Sequence, residues 1–291
     1  MFGTIFVPID GSALSLRVLP FARDLARTTS ARVVLAYALA PWELPIDLPP
    51  QVHGAAAELL SSGIDVRIHV CPPRAGTVGR SLVEAAIEEH AGLILMATHA
   101  RGAVGRALLG SVTDYVVRRA EVPVFVVTET STLHWEHERP QRILVPLDGS
   151  SRSEGMLVLA VRLAVLTGAS LLRLRVAEFQ IAVEEQNNEE VSQHVEQLLA
   201  ETRKYLRGLA THLAEVPANV EVLTAIGSPE LAIPEIVRER QIDLVVMSTH
   251  GGGVGSALLG NVALRTVQRS LAPVLLMHAP AEITTHQHHQ P

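Results

Sequence analysis

Cysteine is almost missing from this chain. Cys71 stands alone among 291 residues, so no intramolecular disulfide can form and a reducing compartment is implied. Cys71 itself reads as a small buried or strand-end residue. Aromatic side chains make up only 3% of the sequence, so any core must be built from Ala, Val, Leu and Ile. Positive charge is not in excess either: the formal net charge is −6 and the isoelectric point about 6.1. Nothing in that balance attracts a phosphate backbone, which argues against a nucleic-acid partner. Long unbroken apolar runs are lacking as well. The longest, Met156 to Val176, is interrupted by Arg162, Arg173 and Arg175 and cannot cross a bilayer cheaply. No basic leader precedes the strand-like run Thr4-Ile5-Phe6-Val7-Pro8-Ile9. The expectation is a cytoplasmic protein with no membrane partner.

What is present is a repeat. Ile5-Phe6-Val7-Pro8-Ile9-Asp10-Gly11-Ser12 returns as Ile143-Leu144-Val145-Pro146-Leu147-Asp148-Gly149-Ser150. Gly92-Leu93-Ile94-Leu95-Met96-Ala97-Thr98-His99 returns as Asp243-Leu244-Val245-Val246-Met247-Ser248-Thr249-His250. Val104-Gly105-Arg106-Ala107-Leu108-Leu109-Gly110 returns as Val254-Gly255-Ser256-Ala257-Leu258-Leu259-Gly260, and Val122-Pro123-Val124-Phe125-Val126-Val127 as Ala272-Pro273-Val274-Leu275-Leu276-Met277. Four blocks in the same order define two copies of one domain. Hydrophobic residues form 48% of the chain, enough for two buried cores.

Within each copy, apolar runs of strand length alternate with stretches of helical period. In the first copy strands are expected at 4–9, 31–38, 64–70, 92–97 and 122–127, with helices at 13–28, 51–61, 77–90 and 110–120. Ser12 is placed as N-cap of the first helix, and Pro20 should bend or break it. In the second copy strands are expected at 142–147, 170–176, 220–225, 243–248 and 273–277, with a long helix at 188–214. This predicts two tandem doubly wound α/β domains, 1–128 and 142–280, each a five-stranded, mostly parallel sheet flanked by helices. The polar stretch 129–141 reads as a linker, with His134-Trp135-Glu136-His137 solvated, and 281–291 as a flexible His-rich tail. In such sheets ligands sit at the carboxyl ends of the strands. Asp10, Asp148, His99 and His250 all fall there.

These motifs resemble the universal stress protein family, and the resemblance covers essentially the whole chain as two copies. The family pattern is a first strand ending in Pro-x-Asp-x-Ser, then Gly-Ser/Thr-His-Gly after the fourth strand, nine residues, and Gly-Ser. The resemblance implies an adenine nucleotide alpha hydrolase-like fold that binds ATP or AMP, with Mg²⁺ as companion of the triphosphate. It assigns Asp10 to ribose or adenine, Ala38 and Val176 to the position facing adenine, and the Ala100–Arg101 backbone, Gly110 and Ser111 to the phosphates. Pro8, Ile9, Met96, Ala97, His99, Arg106 and Val112 in the first copy, and Asp148, His250, Gly251, Gly260 and Asn261 in the second, complete the expected cofactor-binding residues. The physics agrees, since a Gly-rich turn lets backbone N–H groups approach an anion and a helix N-terminus favours negative charge.

Both copies depart from the pattern. The first keeps nine residues between Ala100 and Gly110, and Ser111, but has alanine at 97 and 100 where the family has glycine. The second keeps Gly251 but has Ser248 for the first glycine, only eight residues before Gly260, Asn261 for the serine, and no Arg or Lys in its loop. With Arg101 and Arg106 as phosphate partners, the first copy ranks ahead. Blander roles compete. Either aspartate could simply terminate its strand and cap the next turn. Neither has an acidic neighbour to hold the magnesium that a phosphoacceptor needs. Neither histidine has a second ligand at metal spacing, which favours positioning or packing.

No Ser/His/Asp triad, Walker lysine or paired-carboxylate site is visible, so an enzyme is not expected beyond slow ATP hydrolysis. The leading expectation is a stress-response protein binding adenine nucleotide. The alternatives are a nucleotide-free, dimeric interaction module and a weak ATPase. The fifth strands are expected to pair between chains as a homodimer or between domains within one chain.

Overall fold

The computed structural model describes residues 1–39, 48–72, 77–99, 109–178, 188–211, 219–250 and 259–278. The first copy runs β1 (Thr4–Pro8), α1 (Leu19–Thr29), β2 (Arg32–Ala38), α2 (Pro50–Ser61), β3 (Val66–Cys71), α3 (Val78–Glu88), β4 (Leu93–Thr98), α4 (Ser111–Arg119) and β5 (Val124–Thr128). The second runs β6 (Arg142–Pro146), α5 (Ser151–Thr167), β7 (Ser170–Ala177), α6 (Asn188–Thr211), β8 (Val220–Ile226), α7 (Pro229–Glu239), β9 (Leu244–Ser248), α8 (Asn261–Arg269) and β10 (Val274–Met277).

The strands read as apolar runs because the sheet is covered on both faces. Ile5, Val7, Val33 and Leu35 point to one face with α1 and α2, and Ile143 and Val145 do the same with α5 and α6. Phe6, Val34, Leu144 and Leu172 point to the other, against α3, α4, α7 and α8. Strand order is β3-β2-β1-β4-β5-β10-β9-β6-β7-β8, parallel within each copy. At the centre β5 and β10 pair antiparallel, with Phe125 opposite Leu275, so the two five-stranded sheets form one of ten strands. In each copy the chain winds away from the first strand in both directions. β1 lies between β2 and β4, and β6 between β7 and β9. Such a reversal opens a crevice at the carboxyl ends of those strands.

Two expectations need correction. The helix after β1 does not start at residue 13: Ser15–Val18 form a 3₁₀ turn and α1 begins at Leu19, with Pro20 in its first turn. Proline lacks an N–H, so it fits a first turn and cannot continue a helix through its own position. The second copy has no such proline and α5 runs unbroken for 17 residues. The other correction concerns Trp135. His134, Glu136 and His137 are exposed, but Trp135 is 3% exposed, packed edge-on against Phe21 at 5.0 Å and Phe125 at 6.0 Å. Its Nε1–H donates to the Asp243 carbonyl at 3.0 Å. The stretch between the copies is therefore fastened. Thr132 N–H donates to Leu271 O, Arg17 donates to Ser131 O, and the N–H groups of Gln141 and Arg142 converge on Asp243 Oδ2.

Candidate functional site

The Pro-x-Asp-Gly-Ser segments fold alike. After β1, Ile9 N–H continues the ladder to Ala36 O, and Asp10 then turns the chain by accepting Ser12 N–H on Oδ1 at 2.9 Å. Ser12 Oγ accepts Ser15 N–H at 3.1 Å, so it caps the 3₁₀ turn rather than α1. In the second copy Leu147 N–H bonds Leu174 O, Asp148 Oδ1 accepts Ser150 N–H at 3.0 Å and its hydroxyl at 2.6 Å, and Ser150 caps α5. Gly11 and Gly149 take positive φ, +81° and +85°, which a residue with a Cβ adopts only at a cost. Burial pushes the Asp10 carboxyl up, but hydrogen bonds from Ser12 and Ser15 outweigh it and hold the group below its ordinary value.

At the other side of the crevice, Met96 and Thr98 are buried at the end of β4, Ala97 is half-buried and His99 is exposed. Gly110 and Gly260 begin α4 and α8 without a side-chain cap. Their own N–H groups are already held, Gly110 by Thr98 Oγ1 at 3.2 Å and Gly260 by Thr249 O at 2.9 Å. The donors left for an anion are therefore those of the first helical turn: Ser111, Val112 and Thr113, and Asn261, Val262 and Ala263. A Cβ on Gly260 would stand 3.2 Å from Thr249 O, so close approach explains that glycine. The first turn of α4 carries Asp114, paired with Arg118 at 2.7 Å, whereas that of α8 carries no acid.

In the second copy these pieces enclose a cavity of about 500 Å³. Asp148 lines it just past β6, Val176 from β7, His250 from just past β9, and Gly260 and Asn261 from the start of α8. Five of the residues expected from the sequence thus meet in one place, while Gly251 lies outside the described residues. In the first copy Pro8, Ile9, Asp10, Ala38, Met96, Ala97, His99, Gly110, Ser111 and Val112 occupy the matching strand and helix ends. Ala100, Arg101 and Arg106 lie outside the described residues.

Several lining residues escape the sequence argument. Leu198 and Thr202 come from α6, a helix the motif says nothing about. Arg175, also lining, sits 4.6 Å over the Tyr205 ring and against Gly149, where a Cβ would come within 2.5 Å of its Nη1. Tyr205 in turn donates to Glu154 at 2.7 Å; burial and that bond push its phenol above the ordinary range. The signal was the alternation Arg173-Leu174-Arg175 at a strand end, which places both arginines on one face. By sheet register the first-copy counterpart of Arg175 is Tyr37.

Neighbouring strand ends bring residues distant in sequence to the histidines. His99 Nδ1 bonds Glu129 Oε1. Thr249 Oγ1 lies 3.0 Å from His250 Nδ1 and 2.9 Å from His278 Nδ1, with the two rings 5.3 Å apart. Burial, then the charges of His250 and Arg152, holds His278 below the ordinary histidine value. Among the described residues no group of three His, Cys, Asp or Glu could hold a metal ion, and no helix is long and apolar enough to cross a membrane.

A doubly wound sheet with a crevice at the carboxyl ends of its strands, built twice in one chain, defines the class. The model of the universal stress protein family matches residues 1–128 and again 140–278, and the chain belongs to that family. A universal stress protein of Mycolicibacterium smegmatis is 27% identical over 296 residues, covering 94% of this chain and 96% of that protein. One from Mycobacterium tuberculosis is 29% identical over 193 residues, 65% of this chain, and the match spans 63% of that relative's length. The crystal structure of a universal stress protein from Archaeoglobus fulgidus superposes with a TM-score of 0.68 at 20% identity, covering 95% of this chain and 96% of that one, which shows the shared fold.

Proposed function

We propose that this chain is a stress-response protein that binds an adenine nucleotide at the carboxyl ends of its strands, and that occupancy alters its contacts with partners. The observation that carries the proposal is the second-copy cavity. Its volume of about 500 Å³ falls within the several-hundred-Å³ range of small-molecule pockets. Apolar Leu174, Val176 and Met247 line it beside Asp148 and the uncapped start of α8. An apolar slot for a base, a carboxylate for sugar or base N–H and O–H groups, and a helix N-terminus for phosphate suit the three parts of a nucleotide. The residues present fit the ligand. The first copy has the matching strand ends, and its Ser111, Arg101 and Arg106 rank it ahead on motif.

One observation favours the alternative of a ligand-free interaction module. Asp10 and Asp148 already serve their own turns, and the Gly110 and Gly260 N–H groups are already bonded. Mass spectrometry of small molecules released on denaturing the purified protein separates the two. Adenine nucleotide should be recovered, and lost on Asp10→Ala if the first copy holds it or on Asp148→Ala if the second does. No nucleotide, together with no thermal shift from millimolar ATP, would leave the interaction module in its place.

A further inference from the structure

The sheet sets which end of the second-copy cavity meets phosphate and which meets base. Gly260 N–H is bonded to Thr249 O just past β9, so the start of α8 lies on the β9 side. β6 stands between β9 and β7, and two strand spacings make about 10 Å. A nucleotide with its phosphoryl group at α8 therefore carries its base to the end of β7, where Arg175 and Glu178 line the cavity. We propose that Arg175 makes the second copy select a 6-oxopurine, the guanine type of base, over adenine. The inference rests on the nucleotide reading of the second copy and narrows the base which that copy takes.

Arg175 is fixed in place. Its guanidinium stacks 4.6 Å from the centre of the Tyr205 ring, and Tyr205 is itself tied to Glu154 at 2.7 Å. It also fills the space over Gly149, where an added Cβ would stand 2.5 Å from Nη1. Among the described residues none accepts a hydrogen bond from this guanidinium and no carboxylate pairs with it. Its nitrogens are not sealed from solvent either. Arg173, two residues earlier on the same strand, differs: it is 2% exposed and donates to Leu206 O at 2.8 Å. A half-buried cation fixed in a cavity wall without a protein acceptor calls for an acceptor in the ligand. Stacking engages only the flat face of the group, so its in-plane donors remain available.

Those donors distinguish the two purines. A guanidinium offers N–H groups only, arranged as a planar fork. Guanine presents two neighbouring acceptors, O6 and N7, whereas adenine presents N7 beside its N6 amino donor. The fork closes both bonds on guanine and sets donor against donor on adenine. Glu178 adds the complement, because a carboxylate accepts from the N1–H and N2 amino groups of guanine, and adenine has no hydrogen on N1. In the first copy the register puts Tyr37 where the second has Arg175. A phenol both donates and accepts, so it draws no such distinction. A bidentate contact of this kind discriminates between bases by roughly five- to 150-fold.

The probes are GMP and AMP, which share ribose and phosphoryl group, titrated onto the full ¹⁵N-labelled chain. The amides of Val176 in β7 and Asn261 in α8 report on the second copy. NMR should show GMP saturating them at least about fivefold more tightly than AMP. Arg175→Gln should bring the two affinities to parity, chiefly by weakening GMP. Arg175→Lys, which keeps the charge and loses the fork, should do the same. AMP binding as tightly as GMP at those amides would overturn the inference and leave the nucleotide reading standing. An Arg175→Gln variant that weakens both nucleotides alike would also overturn it, since the guanidinium would then be holding the phosphoryl group. If neither nucleotide shifts those amides, nucleotide binding in this copy fails and takes the inference with it. The wild-type comparison decides even if a variant misfolds.

Discussion

Replacing Trp135 with alanine removes the ring that Phe21 and Phe125 pack on and the donor to Asp243 O. Deleting a buried aromatic of this size costs about 3–5 kcal/mol, and urea denaturation should show that loss. Exposed neighbours on both sides are why the residue reads as solvated in sequence: a single inward side chain in an aperiodic strap leaves no period to detect. Asp10 offers a second test. Its carboxylate is favoured in the folded state, so its contribution is present above the unfolded carboxyl value and is lost as pH falls through the lower folded one. Asp10→Ala should cost about 1 kcal/mol at neutral pH. Stability curves of the two proteins should converge in acid; a constant difference would contradict the assignment. The aspartates at the strand ends were legible, because Asp-Gly-Ser is a local turn, whereas the Ser12 cap was assigned to the wrong helix because the 3₁₀ turn before α1 leaves no distinct period. The His250–His278 pair was not, because only the adjacency of β9 and β10 brings residues 28 positions apart together.

At the scale of elements, α4 delivers Ser111 to the crevice and is held by α3. A Cβ on Gly79 would stand 2.8 Å from Tyr115 Cβ, so the helices meet at a glycine. In an isolated helix Gly→Ala is stabilising by up to ~1 kcal/mol. Here the collision should reverse the sign, and overpacking of this kind costs about 1–3 kcal/mol. Thermal melting of Gly79→Ala below wild type is the expected outcome, and a rise in Tm would show that α4 can shift freely. Strands were the most legible elements, since runs such as Ile5-Phe6-Val7 are apolar on both faces of a covered sheet. Helix starts were less so. Pro20 signalled a break, but its side followed from the packing of Val18 and Leu19 into the core. The walls that α6 lends the cavity were not legible, because Leu198 and Thr202 belong to no repeated block.

Across the whole molecule, the β5–β10 seam, the Trp135 cluster and the α1–α5 contact bind the two copies into one body. Heating should therefore give one calorimetric transition, with calorimetric and van't Hoff enthalpies in agreement. Leu275→Asp places a charge at a position 1% exposed opposite Phe125, and should split that transition into two as the copies part. The doubled fold was visible in four matched blocks of sequence, and strand–helix alternation implied its mostly parallel sheets, while the order of the ten strands came only with the structure. What each crevice holds was less visible, because both loops depart from the pattern in different ways. A crystal structure of the chain grown with millimolar AMP tests the central claim most directly. Density for a nucleotide should appear at the carboxyl ends of β6, β7 and β9, with its phosphoryl group facing the first turn of α8, or at the matching ends of β1, β2 and β4. Both crevices holding only solvent at saturating AMP would contradict it.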